Sequence, residues 1–297
     1  MITALAGWEI PILLSALFLG IYDVCKKHAV NGNAVMPVLF FATLSGSFFF
    51  IVISAVSGGL PTAAECSTLV WWLLLLKSFI VALSWTCVYY AMRELPISIA
   101  APVRASSPLW TFIGSLIIFH EIPSLLQAVG MTMVFTGYYL FSVLGKLEGI
   151  TFRHRGIHLI LAGTLLGAGS ALYDKYLLGV LNIPRMTVQF WFSVDIVFVL
   201  GAAYFIKSVA KRGQGRKFIW RWTIPVTGIL LILADYLYFY ALSVPEAKIS
   251  ILSLMRRSNC IVAFAVGCWL FKDTNVKGKL AALILILAGV AVLALFK

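Results

Sequence analysis

Arg104-Ala105-Ser106-Ser107, followed one helical run later by Phe119-His120-Glu121, returns as Arg256-Arg257-Ser258-Asn259 followed by Phe271-Lys272-Asp273. The echo is not isolated. Tyr22-Asp23 returns as Tyr173-Asp174, and Tyr90-Ala91-Met92 with Pro96 returns as Tyr240-Ala241-Leu242 with Pro245. Each pair is separated by roughly 150 residues, about half the chain, so one unit is written twice.

The solvent of that unit follows from composition. Of 297 residues, 62% are hydrophobic and 11% charged, and the mean hydropathy is +1.00. Soluble domains carry about 25% charged residues, and no soluble core hides this much apolar surface, so the solvent is lipid. The net charge of +12 does not point to nucleic acid. Its basic residues fall in short loops between apolar runs, where orientation signals belong, and not on one soluble face.

Ten runs approach the length of about 20 apolar residues that crosses a bilayer. They cover 8–29, 34–57, 69–92, 97–119, 123–144, 157–180, 187–209, 219–243, 247–271 and 275–296. Barrel strands would be about half as long and would alternate. Turn residues mark the breaks: Asn31-Gly32-Asn33, Ser57-Gly58-Gly59 with Pro61, Pro96, Pro123, Asn182 with Pro184, and Pro245. Five helices per unit is an odd number, so the second copy enters from the opposite side of the membrane. The expected fold is an all-α membrane protein of ten transmembrane helices in two inverted five-helix repeats. Residues 1–144 form the first, 145–156 the linker and 157–297 the second. The loops at one end hold roughly fifteen Lys and Arg against three at the other, which makes the richer end cytoplasmic and puts both termini outside.

The Pro-containing stretch from Pro102 to Pro108, the Phe119-His120-Glu121 step, its counterpart at Phe271-Lys272-Asp273, and the Gly130, Gly137 and Gly289 run carry a resemblance. The chain resembles the ten-helix EamA-type branch of the drug/metabolite transporter superfamily over essentially its whole length. The resemblance implies two EamA-like halves and a transport activity. It departs from the family pattern where His120 and Lys272 replace a Gly before the acid. An Arg common early in the second helix of each half is also missing; Phe40-Phe41 and Phe190-Trp191 stand there. Many relatives are described with cytoplasmic termini, opposite to the loop-charge reading. Substrates of the superfamily range from amino acids and sugars to nucleotide sugars, amines and drugs, so the resemblance names none.

Ionisable groups inside a transmembrane helix cost at least about 2.5–3.5 kcal/mol and usually face the bundle interior or a water-filled cavity. Asp23 and Asp174, each after a Tyr (Tyr22 and Tyr173), match between halves. They read either as inward acids for a cation or proton, or as partners of Lys26, Lys27, Arg104 or Arg256. Arg104 and Arg256 also match; each can hold a carboxylate or phosphate by a bidentate fork, or lock an acid. Arg257 breaks the symmetry and reads as snorkelling or as a partner of Asp235. Asp195, Asp235 and Lys77 lack counterparts; Ser45 and Trp85 stand where the two acids would be. Asymmetry favours specificity or coupling over scaffold. Trp191 lies one turn from Asp195, and Tyr238 shares the face of Asp235. Trp85 and Tyr89 complete the candidate substrate-binding or coupling set.

Other residues read as structure. Trp8, Trp71, Trp72, Trp220 and Trp222 flank helix ends as interface belts do. Gly163 and Gly167 have the spacing of a close helix contact. The five cysteines show no ligand spacing and behave as small hydrophobes. His154 and His158 gather no further ligand, so no metal, cofactor or catalytic residue is expected. The first apolar run has no basic leader or cleavage site and reads as a retained helix.

The function expected is secondary active transport, not enzymatic chemistry. A small polar metabolite would cross the inner membrane by alternating access, with export and proton coupling the first reading, since no nucleotide motif is present. A sugar or nucleotide-sugar carrier, or a lipid-linked-sugar flippase, is the alternative within transport. A membrane-embedded enzyme is the alternative outside it. Expected partners are the small-molecule substrate and membrane lipid, with no nucleic acid, in a monomer or homodimer.

Overall fold

The structure, a computed structural model, describes residues 7–94, 103, 104, 106–143, 154–210, 217–259, 262 and 276–295. Among these residues there is no strand. The helices are α1 (Glu9–Val30), α2 (Val35–Val56), α3 (Leu60–Ala64), α4 (Thr68–Glu94), α5 (Ser107–Ile118) and α6 (Leu125–Val143). They continue with α7 (Arg155–Lys175), α8 (Arg185–Ala210), α9 (Thr223–Leu242), α10 (Ile249–Arg256) and α11 (Val276–Leu295). A π-helical turn, Tyr176–Val180, extends α7. Among the described residues, five helices are long and apolar enough to span a membrane: α2, α4, α7 with its π turn, α8 and α9. Shorter apolar helices run over Ser107–Ile118, Leu125–Gly137 and Ile284–Leu295. The 22 residues of α1 have the length to span but include Glu9, Asp23, Lys26 and Lys27. Large apolar side chains face outward, Phe48 at 68% and Phe198 at 71% exposure, as helices packed in lipid require.

The halves pair by exchange. α1 packs along α9 and α4 along α7, so the first helix of each half meets the third helix of the other. α2 packs on α9 and α8 on α4 in the same way, while α2 meets α8, α5 meets α10 and α6 meets α11. A pseudo-two-fold relation generates this pattern. One hydrogen bond marks each exchanged crossing: Ser15 Oγ donates to Ala234 O at 2.7 Å, and Ser84 Oγ to Gly163 O at 2.7 Å. Ser84 occupies the first-half position that Ala234 holds in the second.

Small residues permit these approaches, since lipid supplies no hydrophobic drive between helices and van der Waals contact must hold them. A Cβ on Gly228 would lie 1.8 Å from Ala42 O, and one on Gly163 3.0 Å from Ser84 O. Gly130 and Gly137 face Gly289 and Ile286 across the α6–α11 seam.

Three expectations change. The loop after α2 contains a short helix, α3, started by Gly59 with Pro61 in its first turn. The fourth run is not one helix. It turns at Ser106, whose hydroxyl donates to Val103 O at 2.6 Å, and α5 begins beside Pro108, which lacks an N–H and crowds the carbonyl four residues back. The ninth run breaks at the matching place: α10 ends at Arg256, a 3-10 turn follows over Arg257–Asn259, and Ser258 Oγ donates to Met255 O at 2.7 Å. Residues 145–153 of the linker, Pro102, and Phe271-Lys272-Asp273 lie outside the described residues.

Candidate functional site

A cavity of approximately 1670 Å³ runs between the halves. Its lining reaches the helix ends at Val30, Asn31 and Lys217, here named the basic end, and descends to Asp174 and Phe239. Nine of the candidate residues line it: Tyr22, Asp23, Trp85, Tyr89, Arg104, Asp174, Asp235, Tyr238 and Arg256.

The charges form two groups related by the repeat. On the floor, Lys77 Nζ is ion-paired with Asp174, and Arg256 Nη2 with Asp235. Lys77 also stands 4.3 Å from the Phe192 ring centroid and 4.2 Å from that of Phe239, while the Arg256 guanidinium lies 4.2 Å from the Tyr238 centroid. Two cations and two acids make the floor neutral. Cation–π contact offsets part of the desolvation that a buried charge suffers. Towards the basic end, Asp23 accepts from Lys26 Nζ at 2.6 Å and from Asn259 Nδ2 at 2.7 Å. Arg104 and Arg257 also act on Asp23 electrostatically. Tyr22 and Tyr89 lie beside each other and within electrostatic reach of Arg104.

The matched acids therefore have different partners. Asp174 is held by Lys77 from α4, which has no counterpart in the second half, and Asp23 by Lys26 one turn along α1. Asp235 pairs with Arg256, not with Arg257. Lys77, singled out in the sequence by its missing repeat partner, lines the cavity with the candidate set.

Three candidates lie elsewhere. Tyr173 points away from the cavity, donating its hydroxyl to Leu73 O at 3.2 Å with its ring stacked 6.1 Å from Tyr176. Trp191 Nε1 donates to Ala64 O at 3.2 Å, under α3. Asp195, one turn on, follows that face towards Trp71 and Cys66; it is buried, and its Oδ2 accepts no hydrogen bond. Trp191 meets the loop helix and Asp195 the start of α4, and neither residue lines the cavity. Trp8 is buried at 3% exposure and is no interface residue, whereas Trp72, Trp220 and Trp222 are exposed.

The end opposite the basic one is closed by side chains that cross between halves. The Glu121 carboxylate accepts from Ile249 N at 3.2 Å, Ser250 N at 3.4 Å and Ser250 Oγ at 3.2 Å. These are amides of the first turn of α10, which have no carbonyl partner in their own helix. Lys175 Nζ stands 3.9 Å from Glu121 and donates to Ala247 O at 2.7 Å. Lys248 Nζ donates to Ile122 O at 2.7 Å and to Gln127 Oε1 at 3.0 Å. His120 turns the chain into this latch with φ +53°, the left-handed region that glycine favours. The candidate set omits Glu121, whose role depends on α10 being brought beside it.

Apolar helices paired by exchange around a charged cavity, latched at one end, define a multi-pass all-α membrane protein. Residues 6–143 match the EamA-like transporter family. A crystal structure of a protein 14% identical in sequence superposes with a TM-score of 0.71 over 96% of this chain and 94% of that chain, which shows a shared fold. Among curated proteins, none matches the chain in sequence.

Proposed function

We propose that the protein is a secondary active carrier that exports a small polar metabolite across the inner membrane by alternating access, coupled to protons. Its units are residues 1–144 and 157–297, joined by 145–156. The observation that carries this reading is the cavity between the halves, which reaches the basic end while Glu121 latches the other. If the basic end is cytoplasmic, the cavity loads from inside, the direction that export needs. The helix interruptions at Ser106 and at Arg257–Asn259 fall beside Arg104 and Arg256, where carriers of this construction place unwound backbone at their sites.

Purified protein in proteoliposomes, given a metabolite panel at two pH values and an imposed pH gradient, tests the reading. Counterflow of at least one compound, faster with the gradient, supports it. Absence of flux for every compound with folded protein in the bilayer overturns it.

A further inference from the structure

The two repeat-related charge groups are not equally balanced. On the floor, Arg256 has Asp235 as counter-ion. The first-half position matching Asp235 is Trp85, and the one matching Arg256 is Arg104. Both line the cavity. Arg104 makes no hydrogen bond or ion pair among the described residues. Nearest the basic end, Lys26, Arg104 and Arg257 all act on the same acid, Asp23. Asp23 is itself engaged by Lys26 and Asn259. Among the described residues the excess holds along the cavity lining, which includes seven Lys or Arg side chains and, as acids, Asp23, Asp174 and Asp235. A cationic excess in a wall of low dielectric constant draws anions and repels cations.

Resting on the carrier reading, we propose that the transported substrate is an amphipathic organic anion. Its carboxylate or phosphate is taken by Arg104, and its flat apolar body lies against Trp85 and the neighbouring Tyr22–Tyr89 pair. An arginine fork matches either head group by paired N–H donors. The aromatic wall supplies contact area for the body without further charge. Trp85 in place of the acid thus does two things at one position: it leaves Arg104 with no carboxylate of its own beyond its share of Asp23, and it gives the substrate a surface to stack on. The second half retains the acid and stays a closed ion pair.

The test uses the purified protein and five probes: benzoate, phenyl phosphate, inorganic phosphate, benzyl alcohol and benzylamine. Binding is read by titration calorimetry, and flux in proteoliposomes. Benzoate or phenyl phosphate should bind, benzylamine should not, and inorganic phosphate should bind more weakly than phenyl phosphate. Arg104→Gln should weaken the anion roughly ten- to hundredfold, and Arg104→Lys less, as expected for loss of a charged, bidentate contact. Trp85→Asp, which installs the counter-ion found in the other half, should abolish anion binding with Arg104 still present. Anion binding unchanged in both Arg104→Gln and Trp85→Asp overturns the site. Benzylamine or benzyl alcohol carried in preference to benzoate overturns the anion assignment and leaves the carrier reading standing. Anions that bind with the stated dependence but never cross, together with no flux of any probe, overturn the carrier reading and leave the anion site.

Discussion

Glu121 holds Ser250 by both its backbone amide and its hydroxyl, joining a residue of the first half to the start of a helix in the second. The carboxylate acts as an N-cap supplied from another helix, and negative charge is favoured there by the helix dipole as well. Glu121→Ala should lower stability by about 1–3 kcal/mol, the range for a lost cap with charged hydrogen bonds, and Ser250→Ala by less. Thermal unfolding of the purified variants measures both. Equal, negligible losses would mean that the latch contributes nothing.

His120 should be improved by the residue it replaces. At φ +53° a side chain costs roughly 1 kcal/mol relative to glycine, more when β-branched. The expected order of unfolding temperatures is His120→Gly at or above the parent, then the parent, then His120→Val. A Val variant as stable as the Gly variant would contradict the left-handed turn.

Breaking the buried Lys77–Asp174 pair from one side should be worse than removing it. Lys77→Met leaves an uncompensated carboxylate in a buried site, a loss of about 3–5 kcal/mol. Lys77→Met with Asp174→Asn should recover most of that loss. A double-mutant cycle reads the coupling, and additive losses would show that the two side chains do not stabilise each other.

Gly228→Ala should cost much more than Gly169→Ala. The first places a methyl 1.8 Å from Ala42 O, whereas the second meets nothing within 4 Å. Overpacking costs about 1–3 kcal/mol and more where backbone must move, while Gly to Ala in an open helix position gains about 1 kcal/mol. The yield of monodisperse protein after solubilisation distinguishes them. Similar yields would mean that α2 and α9 can separate without loss.

Coupling should depend on Asp235 and not on Asp195. Asp235 borders the cavity and holds Arg256, while Asp195 lies off the cavity, towards Trp71 and Cys66. Asp235→Asn should remove the response of flux to an imposed pH gradient, and Asp195→Asn should keep it. Loss of the response in Asp195→Asn alone would move the coupling site out of the cavity.

The sequence by itself determined the all-α membrane class and the doubling of the unit. Lipid demands apolar helices with internally satisfied backbone, and duplicated pairs such as Tyr22-Asp23 and Tyr173-Asp174 survive as readable text. It also identified most of the cavity charges, because an ionisable residue in an apolar run has few stable places to point. Only the tertiary structure decided which charge meets which. Asp174 takes Lys77, 97 residues away, Arg256 takes Asp235, and Glu121 takes α10 amides; these choices depend on how helices cross, which periodicity along one helix does not encode. The same crossings removed Asp195 and Trp191 from the site, because Asp195 meets the start of α4 and Trp191 meets α3, a short helix set by a loop too brief to announce itself in hydropathy.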